Sequence, residues 1–413
     1  MTAVETEDVA TDLFDRRHTA DPYPLYRRLR ETPGPAPYLL GDTQVMVLSR
    51  YADCAAVLQS SAWGHGHADR LSPFWDQEAS LPGSFIRMDP PDHRRLRTLV
   101  NKAFSARMVA ELSPMIDSLV SDLVDAALAA GSLDVVTDLA TPLALAMVGR
   151  RLLGVPERDG AMLRAWELDI AKGTDPDETL LPDEVARRNT AAAGVVGYLS
   201  QLAADRRREP ADDLLSRLVA VEEAGDVLTG PEVVGICVLL LIAGMETSIN
   251  LIGNGMIALL RQPEQLALLR AQPELVPAAV EEMLRFDTPT QFTMRVALAD
   301  NAVGGHSYRR GDGVIVLLGS ASRDAAAFAH SERFDAARYA AGGSAPRHLG
   351  FGLGMHYCLG SPLARLEAAA VFRTLLARTS AITMTIDEPA YQPSRVHRGL
   401  SALPVTLAPA GSA

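Results

Sequence analysis

Cysteine is scarce in this chain: Cys54, Cys237 and Cys358 are the three among 413 residues. They are too few and too widely spaced for a disulfide framework or a cysteine-based zinc site, and they suit a reducing cytoplasm. Positive charge is in deficit as well. The chain has 39 Lys and Arg against 51 Asp and Glu, a formal net charge of −12, which argues against a general nucleic-acid partner. No low-complexity linker or internal repeat divides the sequence. A single domain over residues 1–413 is therefore expected, with a short polar tail to about residue 11, although length alone would allow two or three domains. The tail is acidic, the opposite of a secretory signal.

Long apolar runs are absent with one exception. Glu232 to Leu260 has Glu246 as its one interior charge and reaches membrane-spanning length. Glu246, Asn250 and Asn254 would be costly in lipid. The run is better read as a helix buried through the centre of a large domain, and no membrane association is expected.

The composition, 48% hydrophobic and 22% charged, allows a large core. Helical periodicity is expected over Asp21–Glu31, Ala52–Ser60, most of His93–Leu218, the central run, Glu264–Ala271, Pro277–Phe286 and Pro362–Leu376, with breaks near Gly131, Gly154 and Asp175. Pro37 to Ser49 reads as a hairpin turning at Gly41-Asp42. Thr293–Leu298 and Val314–Leu318 read as strands, and Ile382–Leu407 as β-rich. Ser61–Asp92 is irregular and longer than a simple connector. The fold class expected is mainly α with a minor β region.

Four constellations carry candidate chemistry. Phe351 to Gly360 reads FGLGMHYCLG. Gly352 and Gly354 can take the positive φ that tight turns require, and Cys358 falls just before a helix. Helix-end potential and N–H donors both favour a thiolate there, which suits the axial ligand of a haem iron that cleaves O–O bonds. In the central run, Leu240, Ala243, Thr247 and Leu251 share a helix face. A mid-helix Thr247 can bond back to the Ala243 carbonyl, and Glu246 in an apolar run must be paired or solvated. Glu282 and Arg285 can meet at i, i+3 spacing. Pro90-Pro91-Asp92 opens a helix that places His93 and Arg97 on one face. His65 and His67, two loop histidines without a third ligand, do not make a metal site.

The Cys358 loop resembles the cysteine-ligand loop of the cytochrome P450 superfamily in its soluble bacterial form, matching at Phe351, Gly352, Gly354, His356, Cys358 and Gly360. Ala243-Gly244-Met245-Glu246-Thr247 is similar to the family's oxygen-activation motif, and Glu282-Met283-Leu284-Arg285 to its Glu-x-x-Arg motif. The resemblance implies a P450-like fold with the long central helix over a haem b, and Cys358 as the iron's ligand. Ala243 and Gly244 would border the haem. His93, Arg97, Arg295 and His356 would bind its propionates. Thr247 and Glu246 would manage protons. Glu282, Arg285 and Arg333 would form a structural charge network. The substrate pocket would involve Leu240, Ala243, Thr288, Gln291 and Phe292, together with the loop 61–92 and the stretch 166–183.

The implied reaction inserts one atom of O2 into a hydrophobic molecule such as a polyketide or terpenoid, by hydroxylation or epoxidation. The chain shows no glycine-rich flavin or nicotinamide segment, so a ferredoxin and its reductase are the implied electron donors. Arg94, Arg95, Arg97, Arg347 and Arg365 suggest a basic docking face for them. Rival readings are a peroxide-driven oxygenase or oxidative coupling enzyme of the same fold, and a non-catalytic haem sensor or carrier. Thr247 favours use of O2.

Overall fold

The computed structural model describes residues 13–74, 84–172, 174–175, 180–223 and 225–411. The polar tail, the middle of the loop 61–92 and part of the stretch 166–183 fall outside them. The chain begins with α1 (Tyr23–Glu31), the hairpin β1 (Ala36–Leu40) and β2 (Thr43–Leu48), α2 (Tyr51–Gln59) and β3 (Trp63–Gly64). Next come α3 (Asp92–Ala103), α4 (Ala106–Glu111), α5 (Ser113–Ala130) and β4 (Ser132–Asp134). α6 (Thr141–Ala144) lies between two π-helical segments, Val135–Ala140 and Leu145–Leu152, and α7 (Gly160–Lys172), α8 (Pro182–Arg208) and α9 (Leu214–Ala220) follow. The small hairpin β5 (Glu222–Glu223) and β6 (Asp226–Val227) leads into α10 (Gly230–Leu260), α11 (Pro263–Ala271) and α12 (Val276–Phe286). The chain ends with β7 (Phe292–Ala297), β8 (Asn301–Val303), β9 (His306–Tyr308), β10 (Gly313–Leu317), α13 (Leu318–Ala321), α14 (Ser361–Arg378), β11 (Thr379–Met384) and β12 (Pro404–Pro409). The mainly α reading with a minor β region holds.

α10 organises the helical part. A capping box starts it: Thr229 Oγ1 accepts from the Glu232 N–H at 3.3 Å, and Glu232 Oε2 accepts from the Thr229 N–H at 2.7 Å. Its 31 residues extend roughly 46 Å through the largest apolar core. Two of the three polar residues that count against a membrane span, Asn254 and Glu246, meet protein groups. Asn254 Nδ2 donates to the carbonyls of Asp287 and Arg398 at 3.2 and 2.9 Å. Glu246 pairs with Arg164.

The five-stranded sheet runs in the order β1-β2-β10-β7-β3, with β2 and β10 parallel and the other neighbours antiparallel. Both faces are covered, which is why β10 reads as an unbroken apolar run. Ile315 and Leu317 enter a core with Tyr23, Leu25 and Phe292, while Val314 and Val316 enter another with Cys54, Trp63 and Tyr308. β4, unanticipated because it is three residues long, completes a second sheet, β11-β12-β4.

Candidate active site

The Cys358 loop is set by two glycines in the left-handed region, Gly352 at φ 67° and Gly354 at φ 68°. At Gly354 the packing also excludes a side chain, since a Cβ would stand 2.3 Å from the Leu58 carbonyl oxygen. The Cys358 N–H closes the loop onto Phe351 O at 2.9 Å. α14 begins three residues later, with Gly360 as its N-cap. Burial raises the Cys358 thiol above its ordinary value, against the pull of the Gly360 and Ser361 N–H groups and of the Arg97 and Arg365 charges. The donors read from the sequence are present, and burial outweighs them. A thiolate at this place calls for a cationic partner.

Across α10 the burial pattern breaks in the middle of the helix. Ala243 is exposed, and Leu239, Leu240, Ile242, Gly244 and Thr247 are partly exposed, in a helix otherwise buried from Val233 to Leu259. The spacing of three and four residues lines Leu240, Ala243 and Thr247 up along it. Thr247 Oγ1 donates to Ala243 O at 2.6 Å.

A third group gathers basic side chains from separate elements. The rings of His93 on α3 and His356 in the Cys358 loop lie 4.3 Å apart, and His65 stands 4.8 Å from His356. Arg97 Nη2 donates to Tyr357 O at 2.8 Å. Arg295 Nη1 bonds Thr293 Oγ1 and Met294 O at 2.9 and 2.8 Å. Burial lowers the Arg295 guanidinium to about 10, with Asp89 opposing. Burial also drives the His356 imidazole down to about 2, helped by Arg295, His93 and Arg97. His93 Nε2 and His356 Nε2 are buried and make no hydrogen bond among the described residues. Buried ring nitrogens without partners, set beside two guanidiniums, are a cradle for an anionic edge.

The family model for cytochrome P450 matches residues 180–400. The cytochrome P450 monooxygenase PikC of Streptomyces venezuelae is 41% identical over 94% of this chain and 91% of its own. The polyketide biosynthesis cytochrome P450 PksS of Bacillus subtilis is 36% identical over 87% and 88%. The solved structure of Mycobacterium smegmatis CYP164A2 superposes with a TM-score of 0.86 at 38% identity, covering 96% of this chain and 98% of that one. The chain belongs to the cytochrome P450 family. It is a haem monooxygenase of bacterial secondary metabolism, with a cysteine-ligated iron, hydrophobic substrates and redox partners that supply electrons. The unpartnered imidazole nitrogens of His93 and His356 and the cation-seeking sulfur fit such a group.

This P450 departs from the sequence expectations at several residues. Arg333 is exposed and joins the charge network through its carbonyl alone, which accepts from Arg285 Nη2 at 3.0 Å. The side chain that completes the network is Arg338, whose Nε lies 2.9 Å from Glu282 Oε2, opposite Arg285 Nε at 2.7 Å. Nothing in the local spacing separates Arg338 from Arg333. Gly244 points its open side at Val148, 3.0 Å from where a Cβ would sit, so it serves packing against the π-helical segment. It lies about 100° round the helix from Ala243.

The substrate-side residues of β7 also shift. Phe292 packs edge-on to Phe14 at 5.3 Å in the sheet core. Gln291 is buried and donates to Thr288 O at 2.7 Å, lying against Gly319. Thr288 is fully buried beside Gly350. Thr290 is instead the partly exposed residue, bridged to His397. Arg95 is held at 2.6 Å from Asp226 and 2.5 Å from Glu232, tying α3 to the start of α10. It is not a free docking residue. Arg365 is likewise engaged by Glu281, and Arg347 stacks over Tyr357 at 4.1 Å.

Sequence reading missed the place of His65 in the basic cluster, since its loop position carries no periodic signal. It also missed Arg164 and Glu167 on α7, which form an ion-paired cluster with Glu246.

Proposed function

We propose that this P450 hydroxylates or epoxidises a hydrophobic polyketide or terpenoid-like intermediate, with Cys358 as the axial thiolate. Bound haem supplies the redox chemistry that activates O2. The observation that carries the reading is the Cys358 loop lying beside the basic cluster, with Tyr357 O receiving Arg97 at 2.8 Å. His93, Arg97, Arg295 and His356 would hold the propionates, since their nitrogens are buried and His93 and His356 lack acceptors. Phe351 and Gly352 shape the loop around the sulfur.

Leu240, Ala243 and Thr290 present the accessible surface on the substrate side. It is mostly apolar with one hydroxyl, suited to a hydrophobic molecule with few orienting groups. Thr247 keeps its hydroxyl proton on Ala243 O in the resting geometry and can redirect it by rotating about χ1. Glu246, beside it in sequence and buried, is the titratable group that feeds that hydroxyl. We infer a ferredoxin and its reductase as electron donors, a cytoplasmic location and action as one domain. The name of PksS, a polyketide biosynthesis cytochrome P450, supports the class of pathway.

The test is a panel of polyketide and terpenoid intermediates added to the ferric holoenzyme. The expected result is a blue shift of the Soret band at micromolar ligand and one hydroxylated or epoxidised product on turnover. Binding confined to small polar compounds would overturn the substrate class.

A further inference from the structure

The buried charges between α7 and α10 do not balance. Glu246 on α10 is 1% exposed and Glu167 on α7 is 0% exposed. A single guanidinium serves both. Arg164 Nη1 lies 3.0 Å from Glu246 Oε2 and also bonds Glu167 Oε2, one turn along its own helix. The remaining oxygen of each carboxylate, Oε1, is buried and has no hydrogen-bond partner among the described residues.

Among the described residues, the surrounding elements add no second cation. On α8, Arg187 turns to Asp169 and Asp183, and Tyr198 to Asp159. On the π-helical segment 145–152, Arg150 faces Glu157 and Arg151 faces Asp212. The segment between β11 and β12 contributes His397, a buried ring in the field of Glu246; burial lowers its pKa, so it is neutral at neutral pH. Two carboxylates therefore compete for one positive charge out of water. Ionising both leaves an uncompensated buried charge, the costliest arrangement available. The cluster is stable when it keeps one proton, and that proton belongs to the pair. Burial, with Glu246 adding to it and Arg164 opposing, holds the Glu167 carboxyl up to about 8. At neutral pH the proton rests on Glu167, which leaves the one guanidinium of Arg164 beside Glu246.

We propose that Glu167 is a positioning residue that sets the protonation of Glu246 by competing with it for Arg164. The inference rests on the proposed role of Glu246 and Thr247 in proton delivery. One proton moves and none is created. When it passes from Glu167 to Glu246, Arg164 becomes the counter-ion of Glu167, and Glu246 is a neutral acid able to donate towards the Thr247 hydroxyl. Without Glu167, one guanidinium faces one carboxylate, and the pair has no shared proton to pass on.

The experiment compares holoenzyme with Glu167→Gln, Glu167→Asp and Glu246→Gln. Infrared difference spectra across pH should show a protonated-carboxyl band in wild type that titrates from neutral to alkaline pH. Glu167→Gln and Glu246→Gln should both lose that band, because either leaves one carboxylate with one guanidinium. Buried Glu367 has its own raised carboxyl, and its band should survive in both variants. In turnover, Glu167→Gln should lower product formed per electron pair on the order of tenfold, less than the loss of an acid that transfers the proton itself. It should also flatten the pH dependence of coupling, while Glu167→Asp keeps both the band and the pH dependence. An unchanged infrared band in Glu167→Gln would overturn the shared proton. A lost band with unchanged coupling in Glu167→Gln would overturn the positioning role. Unchanged coupling in Glu246→Gln and Thr247→Ala would separately overturn the proton route on which it rests.

Discussion

Thr247 Oγ1 donates to the carbonyl of Ala243, four residues back in the same helix, at 2.6 Å. The bond competes with the helix's own ladder and leaves a rotatable hydroxyl on the accessible face of α10. Thr247→Ala should leave folding within about 0.5 kcal/mol of wild type, as befits a partly exposed side chain. Coupling should change far more. Electron consumption should persist while product falls and peroxide rises, on the order of tenfold or beyond. Product and peroxide measured against reductant consumed decide the matter, and unchanged ratios would remove Thr247 from the proton route.

Cys358 is the partly exposed cysteine, whereas Cys54 and Cys237 are fully buried in apolar cores. Wild type should give a ferrous–CO complex with the strongly red-shifted Soret band of thiolate ligation. Cys358→His should abolish that shift while retaining some haem. A histidine-type band in freshly folded wild type would sink the assignment.

Glu282 and Arg285 are both wholly buried, and Arg338 closes the network from the segment after α13. Removing the shared carboxylate strands two guanidiniums. Glu282→Gln should therefore cost about 3–5 kcal/mol, and Arg338→Ala a comparable amount. Arg333→Ala should change stability by less than about 0.5 kcal/mol, since its carbonyl is what Arg285 uses. Chemical denaturation of the three variants distinguishes Arg338 from Arg333 as the third member.

Glu281 gives a pH signature on the opposite side of neutrality from Glu167. Burial alone would raise its carboxyl, but hydrogen bonds from Arg365 and His348 prevail and hold it at about 2 instead of 4.5. A lowered carboxylate contributes stability that is complete above its ordinary value and is lost as pH falls from there towards about 2. The contribution is at most about 2 kcal/mol once its partial exposure is allowed for. Glu281→Gln should flatten the acid limb of a stability-versus-pH curve over that window. A parallel acid limb in both proteins would contradict the pairing.

The sequence made the local devices of this P450 legible and left the long-range partners dark. The Cys358 turn and the Thr247 back-bond each depend on residues close to one another in the chain, so spacing reveals them. Arg338 and Arg333 differ in which of them folds back onto α12, which no local period records. Phe292 looked like a pocket residue because of its place beside Gln291 and Thr290, yet strand alternation sends it to the sheet core with Phe14. Glu246 had to be paired, but its partner Arg164 stands 82 positions away in sequence. His65 joins His356 across an even longer separation, from a loop with no periodicity to read.

The docking expectation narrows in the same way. Arg95 is spent on Asp226 and Glu232, so Arg95→Glu should lower thermal stability by separating α3 from the start of α10. Arg94, one position earlier, is exposed and forms no ion pair among the described residues. It is the α3 cation available to an acidic electron donor, and its effect should lie in the association rate. Arg94→Glu should slow first electron transfer from an acidic ferredoxin several-fold at low salt without changing the melting temperature. The difference from wild type should shrink above about 0.1 M ionic strength, where the Debye length falls to about 10 Å. Stopped-flow reduction across a salt series measures it. A wild-type rate that ignores salt, matched by Arg94→Glu, would leave α3 without a part in docking.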